Sequence, residues 1–290
     1  MLRRLGAVGI PAVAGVVGGY YYRDDLRVFA ATLVDSSASS ISSPSRSSAY
    51  FDDSFSRIPW DYNWDQRDPF SLIDHSVYDK ADEETRKKMV EKVTPTATRH
   101  IILIRHGQYV MNKDDPTEKK LTLLGREQAS LLGKRLAESG INFTSLTMST
   151  MTRAMETAGL ILEKMPALKS KSDSILEEGA PYPPEPDAVH WRPSKKKFFS
   201  EGARIEAAFR KYIHRASPTQ KEDSWELVVC HANVIRYFIC RALQFPPEGW
   251  LRMSLANCSI TWITVRPNGN VSIRAVGDAG HISQNKISFN

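Results

Sequence analysis

Cysteine is scarce in this chain. Its 290 residues include three cysteines, Cys230, Cys240 and Cys258. An odd number without zinc-ligand spacing provides neither a disulfide framework nor a structural metal site, and fits a reducing or redox-neutral compartment. Strong charge blocks are also missing. The formal net charge is +6, but the basic residues are scattered. The one tight run, Lys195-Lys196-Lys197, reads as a solvated loop rather than a binding patch. With no RNA-recognition box and no basic stripe interleaved with aromatics, nucleic acid is excluded as a partner. The hydrophobic share of 41% and charged share of 25% are those of a folded α/β chain with room for one core domain and an appendage.

Long apolar runs are missing as well, with one exception at the start. Met1-Leu2-Arg3-Arg4 precedes 18 uncharged residues from Leu5 to Tyr22, close to the ~20 that a spanning helix needs. A basic flank and an apolar middle allow either a cleaved signal or an uncleaved anchor. No A-x-A site follows, and Gly15 and Gly19 stand at the small-xxx-small spacing that lets helices approach in a bilayer. The reading is an N-terminal membrane anchor over 1–25. A flexible linker over 26–57 follows, since nine of the thirteen residues from Ser36 to Ser48 are serine and cannot bury enough surface to order themselves. Residues 58–95 form a third segment, opened by Trp60-Asp61-Tyr62-Asn63-Trp64-Asp65. Two tryptophans in a polar stretch are either a strap packed on their own domain or an interface anchor.

From 96 to 290 apolar runs alternate with helical patterns, which predicts a three-layer α/β/α sandwich around a mostly parallel mixed sheet. Strands are expected near 100–105, 145–149, 172–176, 225–230, 259–265 and 271–276. The last two are joined by the turn Pro267-Asn268-Gly269-Asn270, so at least one pairing is antiparallel. A helix is expected over about 201–216, where Ile205, Ala208, Phe209, Tyr212 and Ile213 recur on one face.

The chemistry gathers at the strand ends. The run His100–Ile104 delivers Arg105-His106-Gly107. A guanidinium can grip phosphate oxygens by a bidentate fork, a neutral imidazole can attack phosphorus, and glycine allows a sharp turn. Asn112 lies close enough in sequence to fold back over the same place. Thr122 is a plausible N-cap for the helix after it. Ser149-Thr150-Met151-Thr152-Arg153 is a strand-to-helix junction with a second arginine, its hydroxyls read as caps. Glu177-Glu178-Gly179 follows a short strand. Trp225–Cys230 delivers His231-Ala232-Asn233 to another helix. Singly, each has a bland explanation: a packed histidine, a solvated arginine, a surface ion pair of Arg153 with Glu156 or Glu127. Together they suit an anion pocket at the carboxyl edge of an α/β sheet. Cys230, inside an apolar run, reads as a packing residue and not a nucleophile.

Over about residues 96–280 these ordered motifs resemble the histidine phosphatase superfamily, in its phosphoglycerate-mutase-like branch. The Trp60–Asp65, Ser149–Arg153, Cys230–Arg236 and Leu243–Trp250 segments are similar to mitochondrial serine/threonine-protein phosphatases of that branch. The resemblance implies a phosphohistidine formed on His106. Arg105, Arg153 and His231 clamp the phosphoryl oxygens, Asn112 and Asn233 make minor oxygen contacts, and no cofactor or metal takes part. It implies Glu178 as general acid and base, with Glu177 its rival. It further implies phosphorylated proteins as substrates and a single-pass anchor in a mitochondrial membrane, the outer favoured over the inner. Self-assembly into activating oligomers would run through Trp60, Asp61, Asn63, Trp64 and Asp65. Tyr109 and Ala232 depart from the serine or threonine and the glycine common in relatives. The stretch Gly179–Asp187 is proline-rich and acidic and shows none of the basic residues that a sugar-phosphate carboxylate needs, which disfavours a mutase, and 179–199 is too short for a large cap domain. A small-molecule or phosphohistidine phosphatase, or a scaffold with secondary catalysis, remain the alternatives.

Overall fold

The computed structural model describes residues 59–289. The anchor and linker expected over 1–57 lie outside the described residues. Among the described residues no helix is long and apolar enough to cross a membrane.

Strand β1 (Arg99–Arg105) forms because five consecutive buried residues, Ile101 to Arg105, have apolar neighbours on both sides, the pattern of a parallel strand covered on both faces. It is followed in chain order by helix α2 (Leu123–Glu138), β2 (Ser145–Met148), α3 (Thr152–Leu162), β3 (Ser170–Ser172), α4 (Lys195–Tyr212), β4 (Ser224–Cys230), α5 (Ala232–Ala242), β5 (Ile260–Val265) and β6 (Val271–Asp278). Helix α1 (Glu83–Val93) precedes β1 and buries no residue. The sheet order is β3-β2-β4-β1-β5-β6. The first four are mutually parallel, and β5 runs antiparallel to both β1 and β6.

Alternate residues along the strands feed two cores, as the two-residue period of a strand requires. Ile101, Leu103, Val228 and Cys230 pack with Ile205, Phe209, Val234 and Phe238 of α4 and α5. Ile102, Ile104, Leu227 and Val229 pack with Ala129, Leu132, Ala154 and Ile161 of α2 and α3. The chain therefore leaves β1 towards one face and leaves its parallel neighbour β4 towards the other. Such a divergence opens a crevice at the carboxyl ends of the two strands, where α/β proteins place their ligands.

Two elements differ from expectation. β3 lies at Ser170–Ser172 and not at 172–176, where Ser174–Leu176 is instead a 3-10 turn with Asp173 as its cap. The α4 helix begins at Lys195, because the Ser194 side chain accepts the Lys197 N–H and caps it. The lysine run expected as loop is thus the first turn of a helix.

The Trp60–Asp65 segment lies against the domain's own core. Trp64 is buried, its Nε1–H donates to the Gly269 carbonyl at 2.9 Å, and its ring stands 5.9 Å from that of Phe209. Asp65 accepts the Arg215 N–H at 2.8 Å and forms an ion pair with its guanidinium at 2.8 Å, both side chains 1% exposed. Asn63 accepts the Asp68 N–H and thereby closes the strap on itself. Asp61 and Gln244 exchange backbone–side-chain bonds at 2.9 Å. Trp60 is half-buried and its indole N–H has no acceptor among the described residues. Tyr62 is 52% exposed.

Candidate active site

The register of β1 against β4 sets Arg105 opposite Cys230, so the next residues, His106 and His231, leave adjacent strands side by side. Their ring centroids are 5.1 Å apart. Arg105, His106, Arg153 and His231 are 6%, 2%, 5% and 0% exposed. Four polar groups buried together, two of them guanidinium cations, cost stability unless something anionic offsets them.

Nδ1–H of His106 donates to the Gly107 carbonyl at 2.8 Å, which leaves Nε2 with its lone pair. Arg153 Nε–H donates to that Nε2 at 3.2 Å. Burial, and then the charges of Arg153 and Arg105, hold the His106 imidazole well below its ordinary range. His231 is held low by burial and by His106 and Arg153. Both rings are therefore neutral near pH 7. His231 Nε2 meets Ser149 Oγ at 2.8 Å, and its buried Nδ1 has no partner among the described residues. Arg105 Nη1 donates to the Leu255 carbonyl at 2.6 Å, and burial lowers its guanidinium to about 10, still charged at neutrality.

Packing alone also requires glycine at 107. A Cβ there would lie 2.6 Å from the Gly125 carbonyl oxygen, and one on Gly125 would lie 1.9 Å from the Gln108 oxygen. The two glycines let the loop touch the first turn of α2, which Thr122 caps by accepting the Gly125 N–H at 3.0 Å. The Gly107 N–H donates to Thr157 Oγ1 at 3.0 Å, tying the loop to α3 as well.

The two adjacent carboxyls separate cleanly. Glu177 accepts a hydrogen bond from Thr150 Oγ1 at 2.5 Å and is committed to that hydroxyl. Glu178 is half-buried and accepts only its neighbour's N–H, from Gly179 at 3.2 Å. Desolvation raises its carboxyl above the ordinary range against the pull of Arg153, Arg105 and Arg236. A carboxyl raised in this way holds its proton to higher pH than an ordinary glutamate, as a general acid must.

The remaining expected residues sort differently. Asn112 stands exposed in the 107–120 loop, without a hydrogen bond among the described residues. Asn233 uses its amide N–H on the Gly179 carbonyl at 2.9 Å and accepts from Arg236 at 3.4 Å, so it ties the Glu178 turn to α5. Ser149 and Thr150 do not cap α3 by bonding its first turn, since α3 has Met151 as N-cap without a side-chain bond. Their hydroxyls serve His231 and Glu177 instead. The surface ion pair imagined for Arg153 does not form, because Glu156 pairs with Arg126 at 3.1 Å. Tyr109 stands edge-on to His106 at 5.2 Å, with the Arg153 guanidinium 4.7 Å from its ring centroid. Sequence reasoning missed Arg236 and Arg204. Arg236 sits one turn into α5, its charge acting on Glu178. Two cavities, of 470 and 330 Å³, lie at the opposite end of the parallel strands around Phe143 and Lys169.

A neutral buried imidazole beside a guanidinium, with a second histidine and a raised carboxyl, defines the class. The chain belongs to the histidine phosphatase superfamily (branch 1), which matches over residues 101–278. Among curated proteins it is 65% identical over 240 residues to a protein named serine/threonine-protein phosphatase Pgam5, mitochondrial, of Caenorhabditis briggsae, covering 82% of this chain and 84% of that one. To the human protein of the same name it is 50% identical over 231 residues, covering 79% and 80%. Among solved structures, Bacillus stearothermophilus YhfR shares the fold with a TM-score of 0.50 at 21% identity, over 63% of this chain and 98% of that chain.

Proposed function

We propose that this chain hydrolyses phosphoserine and phosphothreonine in proteins through a phosphohistidine on His106. The observation that carries the reading is the His106 ring, its Nδ1 proton given to Gly107 and its Nε2 lone pair beside the Arg153 guanidinium. The names of the relatives supply the substrate class.

In the first step Nε2 attacks phosphorus and the ester P–O bond breaks. The leaving alkoxide takes the proton of the Glu178 carboxyl, and the phosphorylated imidazole keeps its Nδ1–H against Gly107. In the second step the Glu178 carboxylate takes a proton from water, whose oxygen attacks phosphorus. The N–P bond then breaks, releasing inorganic phosphate and restoring both groups. Arg105, Arg153 and His231 stabilise the charge on the phosphoryl oxygens, the kind of preorganised electrostatics that dominates such catalysis. Quenching the enzyme with a ³²P-phosphoserine peptide should trap acid-labile label on His106. Label on Cys230 or a serine would overturn the mechanism.

The pH profile follows from the two shifts. His106 acts unprotonated and its pKa lies well below 6.5, so the rise of kcat/KM with pH should be complete before neutrality. Glu178 acts protonated and its pKa lies above 4.5, so activity should fall as pH climbs through that raised value. Glu178→Gln should remove most activity on phosphopeptides and abolish the falling limb. A falling limb that persists in that variant excludes Glu178 as the acid.

The reading extends to a mitochondrial, membrane-anchored assembly, supported by the uncharged run Leu5–Tyr22 and by the word mitochondrial in the relatives' names. Self-association is proposed through the strap, where Tyr62 is exposed and the partly buried Trp60, packed on the core, has an indole N–H without an acceptor among the described residues. Trp60→Ala should lower the mass measured by light scattering together with the specific activity; an unchanged mass rules the strap out as an interface.

A further inference from the structure

Helix α4 lies against the turn that carries Glu178, and its side chains take hold of that turn's backbone. Arg204 Nη1 donates to the Ile175 carbonyl at 2.9 Å and to the Glu177 carbonyl at 2.7 Å, while Nη2 donates to the Glu178 carbonyl at 3.0 Å. One turn earlier on the helix, Glu201 Oε2 accepts the Ala180 N–H at 2.6 Å. The contact is close enough to exclude side chains. A Cβ on Gly179 would come within 2.8 Å of Arg204 Nη2 and 3.0 Å of Glu201 Oε2, and one on Gly202 within 2.5 Å of the Pro181 carbonyl.

A general acid must be held within about half an ångström of its productive place, and Glu178 sits outside any strand or helix that would hold it there. A planar guanidinium with five donors can gather three carbonyls; an ammonium on a flexible stem cannot span them. Arg204 spends its donors on the backbone behind Glu178. The charges that act on the Glu178 carboxyl belong to Arg153, Arg105 and Arg236.

We infer that Arg204, supported by Glu201, is the positioning residue of the general acid, fixing Glu178 at the leaving oxygen without touching substrate. This rests on the phosphatase reading above, and the experiment separates the two. Rapid-quench bursts of phosphoenzyme are measured with a phosphoserine peptide, whose alkoxide needs a proton to leave, and with p-nitrophenyl phosphate, whose phenolate does not. Arg204→Gln should slow the peptide burst by about 100-fold, the lower range for loss of a general acid, and the aryl burst by less than about threefold. Arg204→Lys should recover little of it. Glu201→Ala should show the same split at about 3–10-fold, and it decides the matter if Arg204→Gln does not fold. In an enzyme already carrying Glu178→Gln, adding Arg204→Gln should cost nothing more on the peptide. Equal slowing of both substrates, or slowing of neither, overturns the inference. A full peptide burst in Glu178→Gln alone would instead remove the acid assignment beneath it.

Discussion

His106→Ala is expected to lower kcat on a phosphoserine peptide by about 10⁴–10⁶-fold, the range seen when a covalent nucleophile is deleted. That is about 5–8 kcal/mol of barrier at 1.36 kcal/mol per decade. The size follows from the geometry, because the hydroxyls and the thiol nearest the pocket are not free to attack. Ser149 Oγ is engaged with His231 and Thr150 Oγ1 with Glu177, and burial pushes the Cys230 thiol far up, so it is not a thiolate. His231→Ala should cost less, about 10²–10³-fold, as for one lost donor to a developing charge. The measurement is single-turnover kinetics on both variants, with thermal melts to show that each folds. His106→Asn is a useful companion, since its amide can still donate to Gly107. A residual rate within tenfold of the parent for His106→Ala would refute the nucleophile assignment.

The second large effect is on stability. Arg215→Ala should destabilise the domain by about 3–5 kcal/mol, because it strands a carboxylate in the interior. At about 2–4 °C per kcal/mol for a domain of this size, the melting midpoint should drop by roughly 6–20 °C. The Arg215 guanidinium reaches both Asp65 oxygens and the Tyr62 carbonyl, and Gly269 leaves it room where a Cβ would come within 3.0 Å. Burial works against ionisation of Asp65, but the hydrogen bonds and charge of Arg215 prevail and hold its carboxyl below the ordinary range. The sign for pH is fixed by that depression. The contribution is fully present above the usual value of 3.8 and is lost as pH falls through the depressed one. Replacing both partners with apolar residues of similar volume should recover most of the loss. A shift below 1 kcal/mol for Arg215→Ala would mean that the strap can lift away at little cost.

The histidines were legible because parallel strands buried on both faces are written as unbroken apolar runs, and each run ends at a functional residue. β1 and β4 are of this kind. β3 was not legible at its true place: all three of its residues are exposed, and an edge strand held by backbone pairing to β2 needs no apolar pattern. The roles of Arg204, Arg236 and Asn233 were hidden for another reason. They lie on helices whose periodic stripes identify the core face, and nothing in that period tells which polar residue reaches a turn far away in sequence. The resemblance favours Glu178 over Glu177, but the physical reason lies in the fold, where the Thr150 hydroxyl occupies Glu177. The strap shows the same limit, since two tryptophans declare a contact without saying with which surface.

The buried thiols have a consequence for signalling. Phosphatases that attack with a cysteine thiolate can be silenced by peroxide, because the group that makes them fast is also the group most readily oxidised. In the mechanism proposed above the attacking atom is a ring nitrogen, and Cys230, Cys240 and Cys258 are all interior, their ionisation suppressed by burial. An oxidant pulse that halts thiol-based dephosphorylation would find no thiolate to strike in this pocket; the sulfur beside Glu178 is the Met151 thioether, which accepts its backbone N–H at 3.4 Å. The enzyme would go on removing phosphate while its thiol-dependent counterparts were switched off.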